Sequence, residues 1–95
     1  MTQSTAIIAT ENASRYLQQL CKHWAHRFDV TFDSLQGHIV FSADESLGLA
    51  ATDSALTLIL SVAQDSDSKQ MQQVVTEHLE RFAFRETLIV QWSHG

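Results

Sequence analysis

The sequence predicts an α+β fold: a two-layer sandwich whose antiparallel sheet of about five or six strands carries two helices on one face, in the order β-α-β-β-β-β-α-β. Three observations predict it. Two separated segments repeat their apolar residues at three- and four-residue steps, the spacing of one helical face. The stretch between them alternates with period two, the spacing of half-buried strands. The helices are thus segregated from a run of strands, which is the pattern of an α+β domain rather than of interleaved βαβ units.

The elements follow in order. "TAIIAT", Thr5 to Thr10, is short, β-branched and bounded by Asn12, a first strand. Asn12 is expected to cap a helix running from Asn12 to Phe28, because Ala13, Tyr16, Leu17, Leu20, Cys21, Trp24 and Phe28 form one apolar stripe. After Phe28 the period becomes two: Val30 and Phe32 point one way, Thr31 and Asp33 the other, and "DSLQG" turns the chain. "HIVFS", a turn at "ADES", and "LGLAAT" supply two more strands. In "ALTLILSV" Leu56, Leu58, Leu60 and Val62 alternate with Thr57, Ile59 and Ser61, the cleanest strand pattern of the chain. Asp67 and Gln70 fit a capping box ahead of Met71, Val74, Val75, Leu79 and Phe82, giving a second helix from Asp67 to Ala83. "TLIVQW" is expected as the last strand. The arrangement resembles a ferredoxin-like sandwich with an extra hairpin. Val40, Ile59 and Ile89 alternate out of phase with the main core set, so the second sheet face is not wholly polar, and a homodimer through it is expected.

At 95 residues the chain reads as a single domain, 1–95, with one modest core. The apolar fraction of 44% and charged fraction of 18% are those of an ordinary globular protein. No apolar run approaches the roughly 20 residues that span a bilayer, and "MTQST" lacks the basic start of a secretory signal, so the expectation is a cytoplasmic protein with no membrane partner. A net charge of -5 argues against nucleic acid, whose phosphates are neutralised by Lys and Arg. The single cysteine, Cys21, excludes an intramolecular disulfide and paired-cysteine zinc sites.

Two stretches concentrate chemistry, "CKHWAHRF" and "HLERFAFRE". Cys21 lies on the apolar arc, about 160° around the helix from His23, so the two cannot share a metal and Cys21 reads as core. His23 and His26, three apart, are helix-surface neighbours with chelating spacing, but two ligands fall short of the three or four of a tight site, and both also suit a helix C-terminus. His78 falls inside the apolar arc of the second helix, where a histidine needs a hydrogen-bonded partner; facing His23 or Tyr16, it would be the centre of a pocket. In a ferredoxin-like pair the helices run antiparallel, so a meeting of their C-terminal halves calls for a different crossing or a dimer. Arg81 and Arg85 follow His78 at three and seven and, with Lys22 and Arg27, make a basic patch able to hold a carboxylate or phosphate; Glu77 pairing with Arg81 is the plainer alternative.

No phosphate loop, nucleophile elbow or HExxH is present, so a binding module without a cofactor is expected rather than an enzyme. The ligand-binding candidates are His23, His26, Arg27, His78, Arg81 and Arg85. An anion is favoured over a metal because the surrounding Lys22, Arg27, Arg81 and Arg85 repel a cation. Two alternatives stand beside it: a metal held by His23 and His26, and a small enzyme using His78 as general base.

The stretches "NASRYLQQLCKHWAH" and "EHLERFAFRE", with the closing "LIVQW", resemble the bacterial domain-of-unknown-function family 2218, from "TAIIAT" to Trp92. The resemblance implies a stand-alone α+β domain of about this length, joined in some other proteins to siderophore-interacting flavoreductase domains. It implies iron or siderophore handling as the process, a siderophore-related protein as partner, and His23, His26, His78 and Arg85 as the positions that match the family motifs.

Overall fold

In the computed structural model, which describes residues 2–63 and 65–94, the period-two segments form one sheet and the helical segments cover one of its faces. The side chains of residues 65–67 and 94 lie outside the description. The elements are β1 (Thr2–Ala9), α1 (Ala13–Trp24), β2 (Asp29–Phe32), β3 (Gln36–Ser42), β4 (Glu45–Ala51), β5 (Ala55–Val62), α2 (Asp65–Phe82) and β6 (Ser93–His94). The strands lie in the order β2-β3-β4-β5-β1-β6, every neighbouring pair antiparallel.

This order is a ferredoxin-like sheet with one added hairpin. β1 and β2, linked through α1, run parallel with three strands between them; β5 and β6, linked through α2, run parallel with β1 between them. Removing the β3-β4 hairpin leaves two split βαβ units, the defining pattern of that fold.

The alternation in β5 sends Leu56, Leu58, Leu60 and Val62 into the core, facing Ala6 and Ile8 of β1 and Leu47, Leu49 and Ala51 of β4. From above, Leu17, Leu20, Cys21 and Trp24 of α1 and Val75 and Leu79 of α2 close on them. Each fully buried leucine contributes about 1.5 to 3 kcal/mol relative to exposure, so these two helix stripes hold the layers together. α1 approaches β3 where Gly37 leaves room: a Cβ there would stand 2.7 Å from the Cys21 sulfur. Ser4 and Ser68, both buried, are 3.1 Å apart, and the Gln72 amide donates to Ser4 at 2.8 Å, so the polar groups under α2 satisfy one another.

Four local expectations are corrected. α1 ends at Trp24, not Phe28; the amides of Arg27 and Phe28 both bond the Trp24 carbonyl, a tight turn that keeps Phe28 near the apolar stripe after the helix has stopped. Asn12 makes no side-chain cap, because its amide donates 2.8 Å to Glu86. "TLIVQW" is not a strand: Leu88, Val90 and Trp92 pack on the core while Ile89 is exposed, and of the described residues after α2 only Ser93–His94 pairs with β1. Its alternation records burial on one side without pairing. α2 begins at Asp65, two residues before the expected start, and the capping box at Asp67 lies outside the described side chains.

Candidate functional site: the seam between the helices

The two helices are antiparallel and staggered. Tyr16, in the first turn of α1, meets Glu86 beyond the end of α2, whereas His23, in the last turn of α1, meets His78 within α2. With 18 residues against 12, α2 extends past the end of α1, so the last turn of α1 falls beside His78 rather than beside the start of α2. One chain thus brings the two histidines together with no change of crossing.

At that point the rings form an aromatic cluster. His23 and His78 have centroids 5.2 Å apart, His78 lies 4.9 Å from Trp24, and His23 lies 5.9 Å from Phe82. His78 is half-buried, and its Nδ1 is 2.7 Å from the Val74 carbonyl, which can only accept, so Nδ1 carries a proton and donates it there. Desolvation holds the His23 imidazole below its ordinary range, with smaller contributions from the nearby charges of His78, His26 and Arg81. Among the described residues no group of three or more His, Cys, Asp or Glu could hold a metal, and no carboxylate is hydrogen-bonded to His78 to orient it as a base.

A second centre lies further along the seam, at the end where Tyr16 meets Glu86. The Glu86 carboxylate accepts from the Tyr16 hydroxyl, from the Asn12 amide at 2.8 Å and from the Thr10 hydroxyl at 3.1 and 3.2 Å. These donors hold Glu86 below the ordinary carboxylate range, Tyr16 contributing most, while burial and the Glu86 carboxylate push the Tyr16 phenol up. Beside this network opens a groove of about 710 Å³, bordered by Glu11, Arg15, Gln19, Phe82, Phe84 and Arg85. The Gln19 Oε1 is buried behind the groove wall and has no hydrogen-bond partner in the described structure. The Arg85 guanidinium lies 5.5 Å from the centroid of the Phe84 ring.

The six residues expected as ligand contacts fall in three places. His23 and His78 touch, and Arg81 is close enough to bear on the titration of His23. Arg85 borders the groove at the Glu86 end. His26 and Arg27 sit in the exposed turn after α1, Arg27 bordering a separate recess with Phe28 and Phe41. Thr10, Asn12, Arg15, Gln19 and Glu86 were not anticipated. One signal pointed toward them: a tyrosine on the buried stripe of α1 needs a partner for its hydroxyl.

A family model described as an uncharacterized protein conserved in bacteria, DUF2218, matches residues 5–93. The NMR structure of PA4090 from Pseudomonas aeruginosa is similar over 98% of this chain and 96% of that one, with a TM-score of 0.81 at 38% identity. No curated protein matches the sequence.

Proposed function

We propose that this chain, which belongs to the uncharacterised bacterial family DUF2218, is a non-catalytic binding module that takes a small anionic ligand in the groove at the Tyr16–Glu86 end of the helix seam. One observation carries the reading: Arg15 and Arg85 both border the groove, and neither forms an ion pair with a described residue. A guanidinium presents a planar fork that fits a carboxylate or phosphate, and two of them can hold one polyanion. Glu86 does not compete for them, since Tyr16, Asn12 and Thr10 already engage its oxygens. Gln19 borders the groove as well, a polar side chain beside the two guanidiniums that would hold the ligand. Phe82 and Phe84 offer apolar wall to its carbon skeleton.

Iron or siderophore metabolism is the process we propose, and it rests only on what the family resemblance of the two helical stretches implies. Calorimetric titration with citrate, inorganic phosphate and a hydroxycarboxylate siderophore tests the reading. Arg15→Ala and Arg85→Ala should each weaken binding about tenfold or more, the worth of a charge-assisted hydrogen bond, while His78→Ala leaves it unchanged. Equal affinity in all three variants would remove the groove from consideration.

The contact of His23 with His78 favours a second reading, a two-imidazole metal site. Stoichiometric zinc binding that is lost in His23→Ala and kept in Arg85→Ala would select it over the anion groove.

A further inference from the structure

We propose that the sheet face turned away from both helices is the interface of a homodimer, closed about a two-fold axis by a second copy of this chain. The first observation is electrostatic. The chain has six basic and eleven acidic side chains, yet the outward positions of β1, β4 and β5 hold only Gln, Thr, Ile, Ala, Ser and Gly. An ordinary exposed surface is about a quarter to a third charged. Ile7 and Ile59 stand out from this face at 69% and 41% exposure.

The second observation is a glycine that the fold does not require. At Gly37 a side chain would collide with Cys21, so the packing of α1 explains that residue. At Gly48, in the interior of β4, an added Cβ would meet only the Ile59 carbonyl oxygen at 3.8 Å and the Ile59 Cβ at 4.0 Å, both ordinary contacts, and the backbone is not left-handed. A glycine inside a strand weakens it and commonly marks the close approach of another backbone. Among the described residues only Ile59 comes near that position, so a backbone that needs the glycine would approach from outside the protomer.

The relief of the face identifies the occupant. Ile59 pairs with Gly48, and Ile7 with Thr57, which in turn pairs with Ala50. A ridge made by Ile7 and Ile59 therefore runs beside a trough made by Gly48 and Ala50. A two-fold axis sets the ridge of each copy in the trough of the other, the self-complementary relation of an isologous dimer. Two chains of net charge -5 also meet here without opposing like charges, because the charged residues lie on the helices, the turns and the sheet margins. β3, whose outward positions hold Gln36, His38 and Val40, continues this face, and four strands of seven or eight residues, spaced about 4.8 Å apart and rising about 3.3 Å per residue, offer roughly 480 Å² per copy. That is on the order of 1,000 Å² in total, the threshold for a specific interface and below the roughly 1,200 Å² at which stable ones begin, with sheets packed about 10 Å apart.

Sedimentation equilibrium tests the proposal on the intact chain. The wild type should sediment at twice the chain mass. Ile59→Asp should be monomeric, and Gly48→Val should raise the dimer dissociation constant about tenfold or more while leaving the protomer folded by circular dichroism. Gly48→Val reads the interface even if Ile59→Asp fails to fold, since a Cβ at that position fits the protomer. A wild type that stays monomeric up to about 1 mM, or a dimer indifferent to Gly48→Val, would overturn it.

Discussion

The Tyr16 hydroxyl donates to the Glu86 carboxylate and so ties the first turn of α1 to the segment that leaves α2. The bond fixes the stagger of the helices, because it anchors one end of the seam while His23 and His78 meet further along it. It also explains the missing cap: Asn12 joins Thr10 in serving Glu86, and the first free amides of α1 do without its side chain.

Stability should therefore depend on Glu86 with a definite sign. Its native carboxyl is held below the ordinary range, Tyr16 first and Asn12 next, so the folded chain binds this proton less readily than the unfolded one. The contribution is complete above the unfolded glutamate value, about pH 4.3, and is lost as pH falls through the depressed native value. Urea midpoints of wild type and Glu86→Gln should differ at pH 7 and converge toward pH 3. A gap that is unchanged by acid would show that the carboxylate charge is not what the three donors stabilise.

Much of the fold was readable because it rests on local periodicity. The Leu56-Leu58-Leu60-Val62 alternation gave β5 its bounds, and the α1 stripe gave the helix its buried face. The errors arose where a period outlasted its element, as at Phe28, or recorded burial without pairing, as from Leu88 to Trp92. The candidate site was less readable. The His23–His78 contact depends on the difference in helix lengths, and the Glu86 network joins residues up to 76 positions apart, neither of which any local pattern encodes.

Gly37→Ala should destabilise the protein by about 1 to 3 kcal/mol, the usual cost of overpacking, because its Cβ would sit 2.7 Å from the Cys21 sulfur and 3.3 Å from the Phe32 Cβ. Cys21→Ala removes the nearer obstacle. In a double-mutant cycle followed by urea denaturation, the double variant should lose at least about 0.5 kcal/mol less than the sum of the single losses. Strict additivity would mean that α1 does not approach β3 at this point.

Cys21 should behave as a masked thiol. Burial pushes it up to about 11, so little thiolate exists at neutral pH and the sulfur is shielded from reagent. A chromogenic disulfide reagent should leave the native protein unmodified and label one thiol per chain after denaturation, with a labelling rate in intermediate urea that follows the unfolded fraction. Rapid labelling of the native chain would contradict the burial.

His23 should titrate below the ordinary histidine range. Desolvation beside the aromatic cluster is the leading cause, and the cations that His78, His26 and Arg81 present add repulsion. Between its depressed native value and the unfolded value near 6.5, the unfolded chain binds more protons than the native one, so this part of the stability rises with pH through that window and is lost on acidification through it. In a proton NMR titration the His23 ring signals should have a midpoint below that of an unfolded reference, and His78→Gln, which removes one facing charge, should move the midpoint upward. Arg81→Gln should do the same to a smaller degree. A midpoint at the reference value would mean that the last turn of α1 is not packed against α2 in solution, and with it the stagger that brings the two histidines together would fall.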